Sequence, residues 1–374
     1  MVVLSEAATL ARDLVRLNTT NPPGHEARAA RHIADHLARS GIRAELHPLA
    51  DGREGLIARI AGTEGGGTLC FSGHLDTVPI GTERWTHDPF AGLIEGDRLW
   101  GRGACDMKGG VAAMVVAFER LHRHGQGRAV TLVLTASEET GCQGAASLAD
   151  KIGPADALLI AEPTSERVVI GHKGVVWLRL SARGKAAHAS RPDLGNNAIQ
   201  QLMDALRAVQ GADFGVAPHE LLGPATSSLG TIHGGVATNI VPDESNATLD
   251  IRLIPGMTAA GVRDEVQRLA GRDILVEEML SLGAVHSPPG HPWIASLCDE
   301  TSRVCGVCAD PMGATIFTDA SVLAPALGNP LVALIGPGDP ALAHQRDEWC
   351  SVSAIDRVTD LYERLGRTFG ACGE

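Results

Sequence analysis

The sequence predicts a layered α/β fold: a mixed, largely parallel sheet flanked by helices, interrupted by one inserted α+β unit. Three observations predict it. Helix and strand patterns alternate over the first two-thirds of the chain, AVTLVLTAS and DALLIAEP read as buried strands within that alternation, and the order of elements changes after Lys173 and reverts near Gly283.

Taken in order, Ser5 can cap a helix whose Leu10, Leu14 and Leu17 share a face, and NTTNPPG stops it. EARAARHIADHLARSG reads as a second helix ending at Gly41. Strands follow at RAELHPL, GLIARIAG and GTLCFSG, and a loop rich in turn residues leads to DRLWGRGACDMKGG. VAAMVVAFERLHRHG is a helix closed by Gly125, and the two buried strands come next. Beyond Lys173 lie the strand VVWLRLSARGK, the helix NNAIQQLMDALRAVQG, strands in SSLGTIHGG and SNATLDIRLIP, the helix TAAGVRDEVQRLAG and the strand DILVEEML. That βαββαβ order is a ferredoxin-like unit of roughly 110 residues. A helix through WIASLCDETSRVC, the strand LVALIGPG and a final helix with Ile355, Val358, Leu361, Leu365 and Phe369 on one stripe complete the chain. The expected domains are therefore 1–172 together with 284–374, and 173–283.

A chain of 374 residues is long enough to bury about three quarters of its unfolded surface without disulfide staples. Its formal charge of −12 repels phosphate backbones and anionic headgroups, which speaks against nucleic acid and membrane surfaces as partners. No apolar run reaches spanning length, and the start MVVLSEAATLARD does not read as a signal peptide. Eight scattered cysteines suit buried thiols in a reducing compartment, so the reading is soluble and cytoplasmic. The lone CGVC lacks the second pair that a structural zinc site needs.

The chemistry lies at the strand exits. TLCFSG runs into His74 and Asp76, AVTLVLTAS into Glu138 and Glu139, ALLIAEP into Glu162, and LVALIGPG into a loop carrying His344; Asp106 stands at the mouth of a Gly-flanked helix. In open α/β sheets, ligands bind beyond the carboxyl ends of the strands, so these groups can converge. A lone strand-end His or Asp is ordinarily a turn or cap residue, but seven at four exits and one helix mouth point to a site. Imidazoles with carboxylates suit catalytic Zn²⁺, and two ions fit better than one. Asp106, Glu139 and Glu162 with a bridging hydroxide would neutralise their four positive charges. Asp76, two residues after His74, can accept the second ring N–H. Of the adjacent Glu138 and Glu139, one can bind metal while the other works on water, the chemistry of amide hydrolysis.

The strings SGHLDTVP, WTHDPF, GRGACDMKGG, EETGCQGA, AEPTS and AHQRDEW closely resemble the M20 metallopeptidase family, in the branch of acetylornithine deacetylase and succinyl-diaminopimelate desuccinylase. The resemblance runs from the first helix to the last. It implies a dinuclear zinc amidohydrolase of the zinc-peptidase fold, Co²⁺ being possible, with a catalytic domain and a lid domain through which members commonly form homodimers. It makes Asp106 the bridging ligand, with His74 and Glu162 on one metal and Glu139 and His344 on the other, and Glu138 the general base. In GKAAHAS, His188 resembles the lid histidine that steadies the oxyanion, in its own subunit or the partner's. Arg252 lies on the polar face of ATLDIRL, where it is available for a substrate carboxylate or for an ion pair with a neighbouring acid. Asn239 resembles the lid asparagine, and Lys173 in GHKG stands at the domain junction as a hinge residue or a second anchor. The substrate expected is a small N-acyl amino acid of the acetylornithine type. Succinyl-diaminopimelate, a dipeptide, or binding without hydrolysis are the alternatives.

Overall fold

The computed structural model describes residues 4–370 except 51, 64–66, 126, 213 and 309. Residues 1–3 and 371–374, the ends of the expected first domain, lie outside the described residues. In chain order the elements are α1 (Glu6–Val15), α2 (Ala27–Arg39), β1 (Ala44–Ala50), β2 (Arg53–Ile60), β3 (Thr68–His74), β4 (Leu93–Glu95), β5 (Arg98–Trp100), α3 (Gly109–His124), β6 (Ala129–Thr135), α4 (Gln143–Ile152), β7 (Ala157–Ile160) and β8 (Val169–His172). There follow β9 (Gly174–Arg183), α5 (Ala198–Val209), β10 (Thr226–Gly234), β11 (Glu244–Leu253), α6 (Ala259–Ala270), β12 (Ile274–Leu282), β13 (Val285–His286), α7 (Pro292–Cys305), β14 (Met312–Ala314), α8 (Ala320–Ala326), β15 (Leu331–Leu334), β16 (Trp349–Ser351) and α9 (Val352–Thr368).

The chain divides into two compact units, residues 1–171 with 286–313 and 318–374, and residues 172–285 with 314–317. In the first, the sheet order is β1-β2-β6-β3-β7-β15-β8-β13, with β14 paired to β8. The neighbours β6, β3, β7 and β15 run parallel, and antiparallel β2 and β1 extend the β6 edge. Residues of β3, β6 and β7 are buried at consecutive positions, so helices must cover both faces, as the apolar runs require. Ser5 accepts the N–H of Ala8 at 3.0 Å as the cap of α1, and Ser351 accepts that of Ala354 at 3.1 Å as the cap of α9. The α9 stripe buries Ile355, Val358, Leu361 and Leu365, each contributing about 2 kcal/mol of apolar burial. This is the mixed, largely parallel α/β sheet that the sequence predicts.

The second unit is a four-stranded antiparallel sheet ordered β10-β11-β9-β12. One face is packed by α5 and α6 through Leu180, Leu202, Ile251 and Val266. Residues 314–317, assigned by sequence to the other unit, belong here: the Lys173 N–H donates to the Ala314 carbonyl, and the Phe317 ring meets Trp177 edge-on. A segment this short has no period of its own to reveal its partner.

A second departure is a small sheet, β16-β5-β4, where the sequence reads as a loop. Its strands have three residues each, and Trp349 pairs with Trp100 from far along the chain. Among the described residues, no helix is long and apolar enough to cross a membrane.

Candidate metal centre and active site

Because β6, β3, β7 and β15 are consecutive and parallel, their carboxyl ends form one rim, and each delivers acids or an imidazole to it. His74 ends β3, Glu138 and Glu139 follow β6, Glu162 follows β7, and the loop after β15 carries His344. Asp106 lies in the turn before α3. That helix can approach the end of β7 because residue 110 is glycine: a Cβ there would stand 2.3 Å from the Ala161 carbonyl oxygen. Ser137, just before the two glutamates, and His344 both adopt left-handed φ, 65° and 63°, at a cost of about 1 kcal/mol or more each.

The centre of the site is Asp106. Its Oδ1 lies 3.0 Å from His74 Nε2, and its Oδ2 lies 3.4 Å from His344 Nε2. His344 Nε2 is also 3.2 Å from Glu139 Oε2. Ligand atoms of His74, Asp106 and Glu139 all lie within 4.8 Å of one another. Glu138 and Glu162 are buried beside them, 6% and 4% exposed, and their charges act on His74. Segments from the first and last thirds of the chain thus place one carboxylate between two imidazoles.

Asp76 differs from its expected role. The acceptor of the His74 Nδ1–H is the Asp76 carbonyl, at 3.0 Å, while the carboxylate oxygen is 3.7 Å away. The carboxylate is held elsewhere: it accepts the backbone N–H groups of Glu138 at 3.1 Å and Glu139 at 3.2 Å, and the Asn21 amide at 2.9 Å. Two successive N–H donors outcompete one imidazole. The tautomer is fixed all the same, with Nε2 turned to Asp106, while the Asp76 side chain fixes the segment bearing both glutamates.

Carboxyl groups outnumber imidazoles in the cluster, and each shifts the other's titration. Burial pushes the carboxyls of Glu138 and Glu162 well above the ordinary range, helped by the neighbouring acids and only partly opposed by His74. Burial depresses His74, but Asp106 and the glutamates overcome this and hold it well above its usual value. Hydrogen bonds to Asp106 and Glu139 raise His344 to about 10. Burial raises Asp106, yet the two imidazoles outweigh it and keep its carboxyl below the usual range. Glu139 Oε1 is buried without a hydrogen-bond partner among the described residues. Hard and borderline donors, a surplus of buried carboxyl groups and an orphaned carboxylate oxygen are what a pair of divalent cations would satisfy, so the residues present fit the metals expected of them.

In the second unit, His188 is exposed, and its Nδ1 accepts the Ser190 N–H at 3.2 Å, leaving Nε2 to carry the proton in the neutral ring. The His188 segment pairs with that of Asn239: His188 and Ile240 form a bridge, and the Ala189 N–H donates to the Asn239 carbonyl at 3.0 Å. Arg252 forms a forked pair with Asp250 at 2.8 and 3.1 Å, Asp250 also accepts the Trp177 indole at 2.9 Å, and the guanidinium lies over Phe317 at 5.5 Å. The ion pair is therefore present, on a polar face that is half-buried at Asp250 and Arg252. Lys173 is buried, donates to the Pro224 carbonyl at 2.5 Å, and is depressed by burial and by Arg252.

Asp319 escaped the sequence reading. It is buried, accepts from the Thr135 hydroxyl, leaves Oδ1 without a hydrogen-bond partner among the described residues, and is raised by burial to about 6. In FTDAS it looks like an ordinary helix cap. Asn21 lies in a string that reads only as a helix stop, and no signal marks either residue.

The sequence profile described as "Peptidase family M20/M25/M40" matches residues 70–368. The chain is 30% identical over 410 residues to a probable succinyl-diaminopimelate desuccinylase of Staphylococcus epidermidis, covering 99% of each. It is 31% identical over 340 residues to an acetylornithine deacetylase of Aliivibrio fischeri, covering 87% of each. Its fold is similar to that of an M20 family metallo-carboxypeptidase from Sulfolobus solfataricus, with a TM-score of 0.82, 18% identity and coverage of 97% and 99%. A dinuclear metal binding peptidase of the M20 family from Bacillus subtilis gives a TM-score of 0.75, 15% identity and 98% coverage of both chains.

Proposed function

Because this chain belongs to peptidase family M20/M25/M40 and is one of its hydrolases, we propose that it cleaves the amide bond of an N-acyl amino acid, removing an acetyl group from a substrate of the acetylornithine type. The observation that carries this reading is the Asp106 carboxylate, with one oxygen facing His74 and the other facing His344, which also faces Glu139. The family is metal-dependent. Our assignment is two Zn²⁺, replaceable by Co²⁺, held by His74, Asp106 and Glu162 on one side and by Asp106, Glu139 and His344 on the other. When bound, such ions polarise the amide carbonyl and make water more acidic.

The protein's own groups do the rest. Glu138, held beside the cluster by the bond from its N–H to Asp76, takes a proton from the attacking water as the oxygen adds to the acyl carbon. It passes that proton to the nitrogen as the C–N bond breaks, and with the water's second proton the products are acetate and the amine in its ammonium form. His188, with Nε2–H outward, and its neighbour Asn239 would donate to the oxyanion. Arg252 would take the substrate's carboxylate, with Asp250 and Phe317 holding the guanidinium plane. We further assign the first unit as the catalytic domain and the second as a lid that dimerises along the exposed strand β10, where Leu229 and Ile232 lie bare. A cytoplasmic location suits the described cysteines, all of them free.

Removal of a succinyl group is the second reading. It is favoured by the staphylococcal relative and by Lys173, a second cation near Arg252 that could meet a succinyl carboxylate. Turnover of acetylornithine, succinyl-diaminopimelate and a set of dipeptides with added Zn²⁺ tests both. Acetylornithine should be the fastest. Faster succinyl turnover selects the second reading, and dipeptide turnover above both refutes the N-acyl assignment.

A further inference from the structure

Glu348 is wholly buried and has no part in the steps above. Its Oε1 accepts two successive backbone N–H groups, Cys105 at 2.8 Å and Asp106 at 3.0 Å, and its Oε2 accepts Arg102 Nη1 at 2.6 Å. Arg102 is 2% exposed, and its Nη2 donates to the carbonyls of Pro79 at 3.2 Å and His344 at 3.4 Å. The small sheet creates this meeting: with Trp349 paired to Trp100, the Gly101 N–H donates to the Glu348 carbonyl at 2.9 Å and the two side chains face each other.

Stability alone accounts poorly for such a pair, since apolar replacement of buried ion pairs is often neutral or stabilising. What the pair does achieve is orientation. One carboxylate fixes the backbone at Asp106, and its guanidinium partner grips the backbone at His344. We propose that Glu348, braced by Arg102, is the positioning residue of the metal centre, setting the direction of the Asp106 carboxylate and its distance from His344. The inference rests on the metal reading above and concerns residues that touch neither metal nor substrate.

Zn²⁺ affinity by chelator competition, the visible spectrum of the Co²⁺-loaded protein and the melting temperature with and without metal test it. The variants are Glu348→Gln, Arg102→Lys and the double replacement Arg102→Gln/Glu348→Gln, which removes both charges of the pair together. Glu348→Gln and the double variant should bind at least one metal roughly 10–100-fold more weakly and shift the Co²⁺ bands, since comparable outer contacts have effects of that size. The gain in melting temperature on adding Zn²⁺ should shrink in both, whatever the metal-free value. Arg102→Lys keeps the buried charge but not the fork, so its affinity should fall between theirs and the parent's; it decides the matter if the other two do not fold. Parental affinity and an unchanged Co²⁺ spectrum in any folded variant would overturn the proposal. A parent chain that binds no metal would overturn the metal reading, and this inference with it.

Discussion

Replacing Asp76 by Asn separates its observed role from the expected one. An amide retains one acceptor. With that oxygen kept on the Glu138 N–H, its NH₂ faces the Glu139 N–H and the Asn21 amide, formerly bonded at 3.2 and 2.9 Å. Hydrogen bonds to a charged group contribute about 1.5–3 kcal/mol each, and an amide flip at Asn21 recovers one of the two lost, leaving a net cost of about 1.5–3 kcal/mol. At about 2 °C per kcal/mol for a unit of this size, the melting temperature should fall by about 3–6 °C. Glu138 would lose its fixed seat, and a displacement approaching 1 Å costs on the order of 10²-fold in kcat. The His74 ring proton should be unaffected, because its acceptor is a backbone carbonyl. Calorimetry, steady-state kinetics and the NMR resonance of the Nδ1–H check the three parts. Loss of that resonance with unchanged stability would refute the reasoning and return the carboxylate to the imidazole.

Glu138→Gln should lower kcat by roughly 10²–10⁴-fold, measured with acetylornithine, while the metal-to-protein ratio by elemental analysis stays at the parent value. His344→Ala should reduce that ratio by one, since Glu139 and Asp106 remain without their imidazole. Arg252→Ala should raise KM about 10-fold or more with a smaller change in kcat; an unchanged KM assigns the residue to its pair with Asp250. Asp319→Asn gives a pH test in metal-free protein. A carboxyl raised from 3.8 to about 6 on folding is stable as the neutral acid below about pH 4, and that stability is lost as pH rises through 6. Urea unfolding should show the variant gaining at most about 3 kcal/mol at pH 7.5 and little at pH 4; a gain independent of pH would count against a buried carboxylate there.

Legibility followed the length of the pattern. The strands β3, β6 and β7 announce themselves as apolar runs, and because acids and imidazoles follow them directly, the rim of the sheet could be read without coordinates. The strands of the small sheet have three residues, too few for any period, and their pairing joins residues 98–100 to 349–351 across most of the chain. Hydrogen-bond choice was equally hidden: spacing put Asp76 beside His74, but only three dimensions show that its side chain meets stronger competition from the Glu138 and Glu139 backbone. Asp319 and Asn21 sit in strings typical of caps and turns, and Glu348 in AHQRDEW, a string that carries the family resemblance without marking the glutamate's part in it. Their burial, which sets them apart, is a property of the assembled sheet rather than of any local pattern.

The slot filled by β15 lies between β7 and β8, yet residues 173–330 must be synthesised before that strand exists. A nascent chain therefore carries the first four acidic and imidazole partners long before the last imidazole can arrive, and β7 meanwhile presents an open, apolar edge of the kind that recruits other strands. Chain order thus delivers His344 to the rim only after the inserted unit and β15 have been made. A chain broken off before residue 331 would lack both that imidazole and the strand that covers the β7 edge, and should clump.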